Sequence, residues 1–155
     1  GTATNATTVT ANPTIATSGT QTIIATATSG STTTRDTVQF FIAPTVNVAP
    51  LPAGVVDGIN YEPGDTSVTL VLFAPLKNSI SVVGDFNDWT ETVRHQMNRT
   101  PDGNRFWVRV TGLTPGIEYA YQYIIDGTLR VADYNTHKVL DPWNDQFIPA
   151  TNYPN

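Results

Sequence analysis

Residues 104–127 read NRFWVRVTGLTPGIEYAYQYIIDG, and their reading decides the fold. Phe106, Val108 and Val110 alternate with Trp107 and Arg109. That is the period-two pattern of a strand with one face on a core. Thr114-Pro115-Gly116 then breaks the strand. From Leu113 to Tyr119 the spacing is that of a tyrosine corner, in which a tyrosine hydroxyl bonds the backbone of the turn before it. The next run sets Tyr119, Tyr121, Tyr123 and Ile125 on one side, with Ala120, Gln122 and Ile124 opposite. Asp126-Gly127 closes it with a pair suited to a type I′ hairpin, where both central residues take positive φ.

The same pattern runs outward. SVTLVLFAP (67–75) alternates Val68, Leu70 and Leu72 with Thr69, Val71 and Phe73, and NSISVVGD (78–85) is the next strand. Pro101-Asp102-Gly103 marks a further turn. Short strands at this turn spacing predict an all-β sandwich over residues 55–145, with no helix. Residues 20–44, TQTIIATATSGSTTTRDTVQFFIAP, predict a separate hairpin. Its strands are Thr20–Thr28 and Thr33–Ala43, around Ser29-Gly30-Ser31. Val38, Phe40 and Ile42 form the buried side of the second strand. ATTVTANP (6–13) is a candidate third strand. Three strands cannot close a sandwich, so residues 1–45 read as a truncated immunoglobulin-like β unit, cut from a longer chain. Residues 46–54, rich in Pro, read as a semi-rigid linker.

Composition narrows the function. The 155 residues carry a net charge of −5, only 14 % charged side chains and no cysteine. No basic patch invites nucleic acid, no Cys-ligated zinc site is possible, and no run reaches the length of a membrane span. A full (β/α)8 barrel, at about 250 residues, does not fit. Asp85, Asp88, Asp141 and Asp145 sit in flexible turns, with nothing to raise one carboxyl as a glycosidase acid requires. Their spacing is not that of a calcium loop. No catalytic residue, metal site or cofactor is therefore expected, and the chain itself should have no hydrolase activity. His95 and His137, far apart, read as solvated or capping residues.

GDFNDW (84–89) poses the sharpest question, because Trp89 closes a polar loop. The ring either plugs a core from that loop or waits for a ligand. NYEPGDTSVTLVLFAP (60–75), ISVVGDFNDW (80–89), the tyrosine-corner stretch and YAYQYIIDG (119–127) come in an order that resembles a known module. It is the early-set immunoglobulin-like, carbohydrate-binding family 48 domain that precedes the barrel of α-amylase-family glycoside hydrolases. HKVLDPWNDQFIPATNYPN (137–155) is similar to the lead-in to that barrel in bacterial enzymes, which implies that residues 146–155 lead into a missing catalytic domain. The resemblance implies a non-catalytic accessory module of a starch- or glycogen-active enzyme, supporting the catalytic domain of the same chain. It also implies an extracellular, cell-surface or periplasmic setting. A weak, independent α-glucan-binding module and an immunoglobulin-like spacer or interaction array are the alternatives.

In glycogen-binding members the tryptophan of the FN-x-W motif stacks on sugar, which points to Trp89. Gln122 stands where they carry a Lys, and Leu129 where they carry a second stacking Trp. The candidate sugar contacts are therefore Trp89, Asn87 and Gln122. Trp107, facing away from the expected core, and Trp143, near the exit of the chain, are candidate interface residues. The open edge of the truncated first unit makes a homo-oligomer a candidate partner arrangement.

Overall fold

The computed structural model describes residues 10–141, 143 and 147. The chain divides into two compact units, Gly1–Pro44 and Thr45–Asn155.

Within the first unit, β1 (Gly19–Ser29) and β2 (Thr32–Ile42) form one antiparallel hairpin. They pair from Gly19↔Ile42 to Ser29↔Thr32 across a two-residue turn at Gly30 and Ser31. Gly30 takes φ 59°, so glycine serves this turn well. The expected half-buried face is not there: Val38 is exposed, and Phe40, Phe41 and Ile42 are all only partly buried. Alternation buries a face only when a second layer covers it, and a two-stranded sheet has none of its own. Among the described residues of ATTVTANP no strand forms, and Ala6–Val9 lie outside them.

Among the described residues, the second unit has two antiparallel sheets. One runs β3 (Gly58–Tyr61), β4 (Ser67–Phe73), β7 (Arg105–Thr111), β6 (Asn98–Arg99). The other runs β5 (Ile80–Gly84), β8 (Tyr121–Ile125), β9 (Leu129–Val131). Leu70, Leu72, Phe106, Val108 and Val110 from the first meet Ile80, Val82, Tyr123 and Ile125 from the second. Each such burial contributes about 1.5–3 kcal/mol. No α-helix forms among the described residues; the helical pieces are single 3₁₀ turns at Asp85–Asn87 and Val93–His95.

The alternation in β7 holds: Phe106, Val108 and Val110 are buried, and Arg109 faces out. In β4 and β8 both faces are covered. Thr69 and Val71 are as buried as Leu70, and Ile124 is as buried as Tyr123. Period two therefore assigns sides but not exposure. Tyr119 falls before β8 and makes the corner instead, its hydroxyl accepting the Thr114 N–H at 3.0 Å. Asp126 and Gly127 take φ 49° and 73°, both positive as a type I′ turn needs. The Asp126 carboxylate also accepts the Asn78 and Ser79 N–H groups, at 2.8 and 3.0 Å.

Outside the first sheet, Glu62 accepts Arg109 Nε at 2.7 Å and Ser67 Oγ at 2.8 Å. The Arg109 hydrogen bond, with help from Ser67, pulls the Glu62 carboxyl from 4.5 down to about 2. A depressed carboxyl binds fewer protons folded than unfolded, so its stabilisation is lost as pH falls. That contribution should be complete above pH 4.5 and disappear towards pH 2. Thermal unfolding across this window should fall more steeply for the wild type than for Glu62→Gln. Parallel acid profiles for the two would refute the assignment.

Candidate functional site

The GDFNDW loop turns one aromatic ring in and one out. Phe86 packs against the core, its ring tilted at 48° to that of His95 with centroids 5.2 Å apart. Trp89 stays at the surface, 39 % exposed. Its indole Nε1–H donates to Asp85 Oδ1 at 2.9 Å. The other carboxylate oxygen of Asp85 accepts the Ala120 N–H at 2.7 Å, and the Asp85 N–H donates to the Ala120 carbonyl at 3.0 Å. One side chain thus fixes the ring to the chain entering β8.

The loop pays in backbone strain. Asp88 and Trp89 take φ 52° and 56°. A bulky residue in the left-handed region is rare, and each such residue costs about 1–2 kcal/mol. The bonds to Asp85, and that from Trp89 N–H to the Gly84 carbonyl at 3.0 Å, hold it there. Strain kept in place by surrounding bonds is typical of ligand-contacting sites.

Asn87 has a different use. Its Oδ1 accepts the Gly84 N–H at 2.9 Å, and its Nδ2 donates to the Val82 carbonyl at 3.0 Å and towards His95 Nδ1 at 3.2 Å. The amide is fully engaged in bracing the loop. His95 is buried rather than solvated. Its Nδ1 also meets Thr92 Oγ1 at 2.8 Å, which anchors the Val93–His95 turn. Burial, and secondarily the neighbouring Arg94, lowers its pKa and favours the neutral ring.

Gln122 lies in β8 opposite Val83 and makes no side-chain hydrogen bond among the described residues. It lines the same groove as Trp89, a space of about 920 Å³ between the two sheets. The groove also takes in Tyr61, Tyr121, Glu118 and Lys138. Leu129, 55 % exposed, stands outside that lining. Trp107 is half-buried, and its Nε1–H donates to the Ala49 carbonyl at 3.1 Å. Its cover comes from residues 47–49, which bond Arg99 through Arg99 N–H to Asn47 O and Ala49 N–H to Arg99 O, both at 2.9 Å. Trp143 is 79 % exposed. Asp145 lies outside the described residues, and no group of three or more His, Asp or Glu suited to a metal ion occurs among the described ones. No described helix is long and apolar enough to cross a membrane.

Sequence reasoning passed over Asp85 as a strut. The signal was its place four residues before Trp89, within reach of the indole N–H. Tyr61 and Tyr121 gave no local signal, because only the packing of two sheets sets them on one groove.

A two-sheet sandwich that holds a tryptophan face on a braced loop, beside a groove with an unengaged amide, has the construction of a carbohydrate-binding module. The family model described as carbohydrate-binding module 48 (isoamylase N-terminal domain) matches residues 58–144, and the chain belongs to that family. It is 34 % identical over 83 residues to the 1,4-alpha-glucan branching enzyme GlgB of Synechococcus sp. (strain JA-3-3Ab), covering 54 % of this chain and 10 % of that enzyme. The GlgB of Synechococcus sp. (strain JA-2-3B'a(2-13)) is 36 % identical over 59 residues, covering 38 % of this chain and 8 % of the enzyme. The chain thus spans a tenth or less of the length of these relatives.

Proposed function

We propose that this chain is the non-catalytic accessory module of an α-amylase-family enzyme acting on α-1,4-glucans, and that it contacts glucan through Trp89 and Gln122. One observation carries the reading. The Trp89 indole is tethered by its N–H to Asp85, so the ring is held at the surface beside an unengaged amide. Sugar C–H faces stack on such a ring and hydroxyls bond such an amide. Asn87 acts one step back, by bracing the loop.

The partner in this reading is the catalytic domain of the same protein, as the branching-enzyme relatives suggest. The exposed apolar residues Val139, Leu140, Trp143 and Phe147 favour a supporting contact with that domain. Pairing of the β1–β2 hairpin edges with a second copy belongs to the same reading, since each outer edge offers backbone hydrogen-bonding groups. A setting outside the cytoplasm rests on the resemblance alone.

The test is a titration of the ¹⁵N-labelled chain with maltoheptaose, followed by amide shifts. A single stacking face with one amide should give a Kd of about 1 mM, roughly −4 kcal/mol. Trp89→Ala should remove binding while the chain stays folded by circular dichroism. Undiminished binding in folded Trp89→Ala would refute the assignment.

A further inference from the structure

The Trp89 face is one end of a longer feature. Tyr61, at the end of β3, is 63 % exposed and lines the same groove. Tyr121 also lines it, its hydroxyl fixed on Asp133 Oδ2 at 2.6 Å. Glu118 and Lys138, ion-paired at 2.8 Å, join the lining from the segments before β8 and after β9. Aromatic faces and a charged pair are groups that hold sugar rings and hydroxyls. At about 920 Å³ the groove lies near the top of the range for small-ligand sites, about 300–1,000 Å³, which suits several sugar units rather than one. The β8–β9 hairpin tip offers no such continuation, because Leu129 has no flat ring.

We propose that an α-glucan chain runs along this groove from Trp89 towards Tyr61, with Tyr61 as the second stacking face, rather than across the hairpin tip at Leu129. The inference rests on the reading of Trp89 above.

The amide-shift titration tests it with a short and a long ligand, maltose and maltoheptaose. Tyr61→Ala should weaken maltoheptaose binding about tenfold, the loss of one stacking face, and leave maltose binding unchanged. Tyr61→Leu keeps apolar bulk without a flat ring and should give the same loss, whereas Tyr61→Phe should bind like wild type. Leu129→Ala should change neither ligand. Equal losses on both ligands, no loss in Tyr61→Ala, or a tenfold loss in Leu129→Ala would each overturn the proposal. Loss of all binding in Trp89→Ala, with none of it dependent on Tyr61, would sink this inference alone. Unchanged binding in Trp89→Ala would sink the reading of Trp89 and this inference with it.

Discussion

Asp133→Ala is expected to lower the unfolding free energy of the second unit by about 3 kcal/mol or more, since several buried hydrogen bonds lose their acceptor at once. Asp133 is 2 % exposed. Its Oδ2 accepts the Tyr121 hydroxyl at 2.6 Å and the Tyr123 hydroxyl at 3.0 Å, and its Oδ1 accepts the Asn135 N–H at 2.8 Å. Tyr123 is fully buried in the core, so its hydroxyl has no water to turn to. Burial first, and Asp133 in addition, pushes the pKa of both phenols up, which keeps them neutral donors. An alanine leaves two phenols and a backbone N–H unmatched, each at a cost of about 1–3 kcal/mol if it finds no water. Asp133→Asn should fall between, because its oxygen still serves the phenols while its NH₂ opposes the Asn135 N–H. Guanidinium unfolding at constant m-value measures the series. A change in Asp133→Ala within about 0.5 kcal/mol would mean that the cluster contributes little.

What the sequence showed, and what it hid, divide along a physical line. The inward face of β7, the tyrosine corner and the Asp126-Gly127 turn were legible because each follows from steric or hydrogen-bonding rules within a few residues. Burial was not legible where it depends on a second layer. The same alternation that placed Phe106 in a core placed Val38 on an exposed hairpin, since nothing local records what lies above a strand. Trp107 was correctly set opposite the core. Its cover, residues 47–49, looked like linker because Pro and small residues hide a backbone pairing made with Arg99. For the proposed site, Trp89 was singled out by its motif and Gln122 by its place in the family pattern. Asn87 looked like a sugar ligand because an amide in a loop suits either role, and only the positions of Val82, Gly84 and His95 show it to be engaged. His95 read as solvated or capping for the same reason, and it proves buried, with its ring on Thr92 at the start of its own turn. Tyr61 and Tyr121, sixty positions apart in sequence, meet only through packing.

The glycine that opens the GDFNDW loop should be among the least replaceable residues of the second unit. Gly84 is extended, with φ −179°, so no backbone preference calls for glycine. Space does. A Cβ there would lie 2.4 Å from the Ala120 carbonyl oxygen, 2.8 Å from Tyr121 Cβ and 3.0 Å from Phe86 Cε1. The nearest obstacle is backbone and cannot swing aside. Ala120 is held by the Asp85 N–H at 3.0 Å and by the Asp85 carboxylate at 2.7 Å, while Gly84 itself pairs with Tyr121. Relief therefore means opening the end of the β5–β8 ladder and shifting the strut that carries Trp89. Overpacking of this kind costs about 1–3 kcal/mol, and Gly84→Ala should reach the upper part of that range. It should also weaken maltoheptaose binding as severely as Trp89→Ala, although it removes no sugar-contacting group. Gly103→Ala is the control. Gly103 has a positive φ of 73° but open space around it, so only the left-handed penalty of about 1–2 kcal/mol applies, with glucan binding unchanged. Guanidinium unfolding and the maltoheptaose titration on the two variants decide the matter. If Gly84→Ala proves no less stable than Gly103→Ala and binds glucan like wild type, the loop is not braced against Ala120 in the way these distances require.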